Sequence, residues 1–138
     1  MHSSHHPVRI LLVDDSVTFL DSVTRFLAVE PWLAIAGRAH SGPAALDQVL
    51  LTEPDLVLMD IAMPGMNGLE ATRQIKAQSN APFVLILTMA DDPEYQVVAA
   101  QVGADGFLPK VQCRRLLLPL IRSLFPSFTQ DGGGADKA

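Results

Sequence analysis

Val8-Arg9-Ile10-Leu11-Leu12-Val13-Asp14-Asp15 is an apolar run that stops on two adjacent acids, and its reading decides the fold. The core of the run, over about 9–13, has the length and β-branched content of a buried strand. Three more runs end in the same way. Residues 56–59 stop at Asp60, residues 83–87 stop at Thr88, and Phe107-Leu108-Pro109 stops at Lys110. A further run at 33–36, beside Trp32, ends in Gly37 and Arg38. If these runs are parallel strands, three acids, a hydroxyl and an ammonium converge on one edge of one sheet, where open α/β sheets bind ligands.

Helix-length amphipathic stretches separate the runs. The first helix starts near Ser16, and Phe19, Leu20, Val23, Phe26 and Leu27 are spaced to cover one face until Pro31 stops it. Strand 2 is expected over 33–38. Ser41 and Gly42 then lead to Pro43, a good first-turn residue for a helix to about Leu51. Strand 3 covers 56–59, the loop Pro64-Gly65-Met66-Asn67-Gly68 follows, and helix 3 runs over 69–78. Strand 4 covers 84–88. Asp92 caps helix 4, Pro93 opens it and Gly103 ends it. Strand 5 covers 106–108, and helix 5 runs to about Leu124. This alternation is the signature of a doubly wound α/β fold, with helices on both faces of a five-stranded parallel sheet. The common order for such a sheet is 2-1-3-4-5, a flavodoxin-like arrangement that places strands 1 and 3 side by side at the switch point.

Composition excludes several function classes. The chain has 138 residues, the size of one domain with a single well-packed core. Net charge of −5 and the lack of a Lys/Arg run argue against direct nucleic-acid binding. Cys113 is the single cysteine, which rules out an internal disulfide framework and fits a reducing compartment. No apolar stretch approaches the roughly 18–20 residues that span a bilayer. These features predict a cytoplasmic protein with no membrane partner. Residues 1–6, with His2, His5 and His6, read as a flexible tail. Residues 126–138, with Gly132-Gly133-Gly134, read as a flexible tail or the start of a linker, leaving a folded domain over 7–125.

The expected cluster has a definite chemistry. Carboxylates at close quarters repel one another and call for a cation, and an all-oxygen site with hard acids suits Mg²⁺. An aspartate so placed can attack phosphorus to give an aspartyl-phosphate. Charge on the phosphoryl oxygens then needs the metal, a hydroxyl and an ammonium around it, and Thr88 and Lys110 supply the last two. Asp60 is the expected nucleophile because it ends the central strand, between the Asp14-Asp15 pair and the Pro64-Gly65 loop.

With these residues in view, the chain resembles the receiver domain of two-component response regulators. The resemblance rests on Leu11-Leu12-Val13-Asp14-Asp15-Ser16, on Leu58-Met59-Asp60-Ile61-Ala62-Met63-Pro64-Gly65-Met66-Asn67-Gly68, on Leu87-Thr88, and on Gly103-Ala104-Asp105-Gly106-Phe107-Leu108-Pro109-Lys110. The wording of the Asp60 loop and of the Gly103–Lys110 segment is most similar to the branch that usually carries a C-terminal helix-turn-helix. The resemblance implies that Asp60 accepts a phosphoryl group from a phosphohistidine on a sensor histidine kinase or a histidine phosphotransfer protein, as in a phosphorelay. It implies Mg²⁺ held directly by Asp15, Asp60 and the backbone carbonyl of Ala62, with Asp14 acting through water. It also implies that Lys110 pairs with Asp60 at rest, that Thr88 turns to the phosphoryl group, and that Phe107 swings inward as a switch.

Some positions depart from the family pattern. Val111 follows Lys110 where a cis-proline is common, and Met89 replaces a small residue and is expected to narrow access to Asp60. Ala62 and Ala90 replace polar side chains that position a hydrolytic water, so slow self-dephosphorylation is expected. Pro119 is expected to bend helix 5 near Arg115, and Cys113 stands where a capping hydroxyl would start it. Tyr95 reads as an exposed helix residue. The expected function is a phosphoacceptor that promotes only its own phosphorylation and dephosphorylation and then binds a downstream partner. The alternatives are a receiver cut from a longer DNA-binding transcription regulator, with its output domain missing, or an aspartate-nucleophile phosphatase. The second is weakened by Ala62, which stands where such enzymes carry a second aspartate.

Overall fold

The computed structural model describes residues 6–89 and 93–126. Its strands are β1 (Val8–Val13), β2 (Leu33–Ala39), β3 (Leu56–Asp60), β4 (Phe83–Thr88) and β5 (Gly106–Pro109). Its helices are α1 (Val17–Ala28), α2 (Gly42–Thr52), α3 (Gly68–Lys76), α4 (Pro93–Gln101) and α5 (Cys113–Leu124). The strands form one parallel sheet in the order β2-β1-β3-β4-β5, as expected.

Side-chain alternation along the strands divides the core in two. Ile10, Leu12, Leu56, Leu58, Leu85 and Leu87 point to the face covered by α1 and α5, where they meet Leu20, Leu27, Leu117 and Ile121. Leu11, Val13, Val57, Met59, Val84 and Ile86 point to the other face and meet Val49, Ile75 and Ala99 from α2, α3 and α4. Both faces are therefore buried, which explains why β3 is closed to solvent along its whole length and reads as a continuous apolar run.

Local chemistry sets the helix ends. Ser16 caps α1, its hydroxyl accepting from the Phe19 N–H at 3.2 Å, so the cap is Ser16 and not the neighbouring Asp15. Ser41 caps α2 through Ala44, with Pro43 in the first turn. Asn67 caps α3 through Glu70. Gly103 follows α4 at φ +97°, a left-handed conformation that a side chain would resist.

Helix 5 starts without a side-chain cap, in line with the cysteine that stands at its expected capping position. Lys110–Gln112 first form one 3-10 turn, and α5 begins at Cys113 with no side-chain cap. Cys113 is buried against the α1 side of the core, so its thiol packs and does not cap. The helix continues across Pro119, which lies on the exposed side of α5, where water can solvate the Arg115 carbonyl that the proline leaves without a donor. The expectations for His2, His5, Ala90, Asp92 and the Gly132–134 tail lie outside the described residues. Among those described, no helix is long and apolar enough to cross a membrane.

Candidate functional site

Strand register builds the site. Val13 pairs with Met59, so Asp14 and Asp60 leave adjacent strands at one level. Asp60 pairs with Leu87, and Thr88 pairs with Pro109, which puts Thr88 and Lys110 on the same edge. The five polar ends predicted from the sequence are thus brought together at the C-terminal edge. They line one cleft of about 510 Å³ with Ser16, Ile61, Ala62, Met89 and Tyr95.

Asp14, Asp15 and Asp60 can each place one carboxylate oxygen so that all three lie within 4.8 Å of one another. Asp14 and Asp60 are 1% and 4% exposed, whereas Asp15 is open to solvent. Burial holds the Asp60 carboxyl above the usual carboxylate range. The neighbouring Asp14 charge adds to this, Lys110 opposes it, and Asp15 contributes a smaller push in the same direction as Asp14. An all-oxygen donor set with one solvent-facing member fits a hard divalent cation that keeps part of its water shell.

Lys110 lies between the acids. Its Nζ donates to Asp14 Oδ2 at 2.6 Å and stands 3.3 Å from Asp60 Oδ1. The expected pairing with Asp60 is present, but the shorter contact goes to Asp14. Asp14 is held from its other oxygen as well, since Oδ1 accepts the Ser16 N–H at 2.9 Å. A partner absent from the sequence reading is Phe19, whose ring centroid lies 4.2 Å from Lys110 Nζ. Its place in the α1 apolar stripe gave a sufficient packing reason for it, so nothing in the spacing marked a second role.

The remaining positions are distributed around this centre. Thr88 is buried at the end of β4. Phe107 is partly buried on the α4 side of the sheet, bordering a groove with Gln96, Ala99 and Ala104. Met89 lies at the cleft rim and is 74% exposed, so it borders the opening without filling it. Tyr95 is exposed on α4, as expected, and lines the same cleft. Val111 is exposed in the 3-10 turn, and the described residues contain no cis peptide bond.

The sequence matches the response regulator receiver domain over residues 10–122. The chain belongs to this family. Among relatives of this receiver domain, the response regulator MprA of Mycolicibacterium vanbaalenii is 35% identical over 132 residues, covering 96% of this chain and 56% of that protein. A protein-glutamate methylesterase/protein-glutamine glutaminase of Nocardioides is 36% identical, covering 86% of this chain and 36% of its own length. A chain in the crystal structure of the CheX–CheY–BeF3–Mg²⁺ complex from Borrelia burgdorferi superposes with a TM-score of 0.81 at 25% identity, covering 87% of this chain and 90% of that one. The receiver thus spans between about a third and just over half of the length of these two curated relatives. It is a receiver domain of the kind found in response regulators of two-component systems.

Proposed function

We propose that this receiver, over residues 7–125, takes a phosphoryl group from a phosphohistidine on a sensor histidine kinase or histidine phosphotransfer protein onto Asp60. The observation that carries the reading is the meeting of three carboxylates and one ammonium at the C-terminal edge of one sheet. An Asp60 carboxylate oxygen attacks phosphorus, the P–N bond to the imidazole breaks, and its electron pair stays on the ring nitrogen, which then takes up a proton.

Asp15, Asp60 and the Ala62 carbonyl would hold Mg²⁺, with Asp14 beside them, and the ion supplies charge neutralisation at the transferring oxygens. A relative whose structure holds Mg²⁺ and beryllofluoride supports this choice of ion. Lys110 already neutralises part of the acidic charge and is placed to follow it onto the phosphoryl oxygens. Thr88, one residue beyond the β4 register partner of Asp60, is the hydroxyl assigned to the product, and Phe107 is the aromatic assigned to the accompanying packing change. On this reading the chain acts on itself alone, and a downstream protein or an output domain carries the signal on.

The test is incubation with Mg²⁺ and a small phosphoryl donor, read by intact mass. One phosphoryl group on the wild type and none on Asp60→Asn is the expected result. Equal incorporation in the variant would overturn the assignment.

A further inference from the structure

The geometry points to Phe19 as a positioning residue for Lys110, holding the ammonium against its ring so that the lysine meets Asp14 and Asp60 from a defined side. This rests on the proposed reading of Asp60 and extends it to a residue of α1.

The contacts close into a circuit. Lys110 Nζ donates to Asp14 Oδ2 at 2.6 Å, and Asp14 Oδ1 accepts the Ser16 N–H at 2.9 Å. Ser16 Oγ accepts the Phe19 N–H at 3.2 Å, and the Phe19 ring returns to Lys110 Nζ at 4.2 Å. The acid that binds the lysine therefore also anchors the cap that places the ring. The ammonium is thereby enclosed between two carboxylates and a π face. Its side chain is only 8% exposed, so little water competes with the ring for it.

Phe19 is also a partition. On one side it borders the small apolar space lined by Leu12, Leu58 and Leu87 with Asp14 and Asp60. On the other it borders a groove of about 390 Å³ between α1 and α5, which the Lys110 side chain shares. Without the ring face, the ammonium has an outlet into that groove and away from the acids. An apolar replacement of similar bulk keeps the packing but loses the quadrupole that attracts the charge.

Two consequences of opposite sign follow. The lysine competes with a divalent cation for the same carboxylate oxygens, so loosening it strengthens Mg²⁺ binding. The lysine is also needed beside the phosphoryl oxygens, so loosening it slows phosphorylation. A general packing defect would weaken both together.

The experiment uses the full chain as wild type, Phe19→Leu and Phe19→Tyr. Mg²⁺ affinity is read by calorimetry, and the phosphorylation rate is read at saturating Mg²⁺ with acetyl phosphate. For Phe19→Leu, tighter Mg²⁺ binding and slower phosphorylation are expected, each by about three- to thirty-fold, the range of a largely desolvated cation–π contact. Phe19→Tyr keeps the ring face and restores both. The Lys110 ε-methylene protons should show an upfield ring-current shift in wild type and Phe19→Tyr that is lost in Phe19→Leu. Unchanged values in Phe19→Leu, a parallel loss of both, or failure of Phe19→Tyr to restore them would overturn the assignment to Phe19. None of these outcomes touches Asp60, whose role fails separately if Asp60→Asn still takes up phosphate.

Discussion

Lys110 and Asp14, 96 residues apart in the chain, form a buried ion pair of 2.6 Å at the centre of the receiver's acidic cleft. Asp60 stands on the other side of the same ammonium at 3.3 Å. Removing the lysine would leave two carboxylates, both almost closed to water, without their cation. Lys110→Met should therefore cost about 3–5 kcal/mol at neutral pH, the usual effect of stripping one partner from a buried pair. Urea unfolding measures this loss. The deficit should shrink in Mg²⁺, which replaces the missing charge, and towards acid pH, where the raised Asp60 carboxyl takes up a proton. A deficit indifferent to both would show that the pair has little electrostatic importance.

Asp60→Asn should have the opposite effect. The Asp60 carboxyl is raised above its ordinary value of 3.8, by burial first and by Asp14 next. A folded-state value above the unfolded one favours folding below the unfolded value. That contribution is lost as pH rises through the folded value, so at neutral pH the ionised group opposes folding. The asparagine removes this opposition while Lys110 keeps Asp14. We expect Tm to rise by a few degrees at pH 7.5, on the order of 1 kcal/mol for a domain of this size. Near pH 3 the gain should vanish. A lower Tm at pH 7.5 would contradict the direction of the shift.

Gly68 is the residue that lets the loop after β3 return to the site. A Cβ there would lie 1.9 Å from the Asp60 carbonyl oxygen and 2.8 Å from its carbon, both backbone atoms that no rotamer can move. The Gly68 N–H also donates to the Ile61 carbonyl at 3.0 Å. Gly68→Ala should cost about 3 kcal/mol and displace Asp60, weakening Mg²⁺ binding in calorimetry. A stable variant with wild-type Mg²⁺ affinity would refute this account of the loop.

Cys113 should be nearly inert in the folded protein. Burial pushes its thiol up to about 11, with the Lys110 charge pulling only weakly the other way. At pH 8 the thiolate is then scarce as well as enclosed. Reaction with a disulfide reagent should be about two orders of magnitude slower than in urea. Similar rates with and without urea would mean that the start of α5 opens readily.

The sheet and the five polar ends were legible because four largely apolar runs, those of β1, β3, β4 and β5, stop at Asp14, Asp60, Thr88 and Lys110. Register does the rest, since Val13 pairing with Met59 leaves Asp14 no other place than beside Asp60. Less legible were choices between chemically equivalent neighbours. Asp15 and Ser16 can both cap a helix, and only the fold shows that Ser16 does so while Asp15 stays in the cleft. The preference of Lys110 for Asp14 over Asp60 depends on how a long side chain crosses the gap, which spacing does not encode. Phe19 was concealed by its own suitability for the core.

Thr72 offers a test remote from the acids. It lies on α3, fully buried, and its Oγ1 is the buried side-chain polar atom without a hydrogen-bond partner among the described residues. A buried hydroxyl that finds no partner carries its desolvation cost uncompensated, about 1–3 kcal/mol. Valine has the same branched shape and similar helix propensity, so Thr72→Val exchanges that hydroxyl for a methyl group with little change of backbone preference. Chemical denaturation should show Thr72→Val to be more stable than wild type by about 0.5–2 kcal/mol. Thr72→Ser keeps the hydroxyl and deletes the methyl group, so it should instead be less stable by about 1 kcal/mol through the lost apolar contact. If Val destabilises and Ser does not, the hydroxyl has a partner in solution and the helix packs around it.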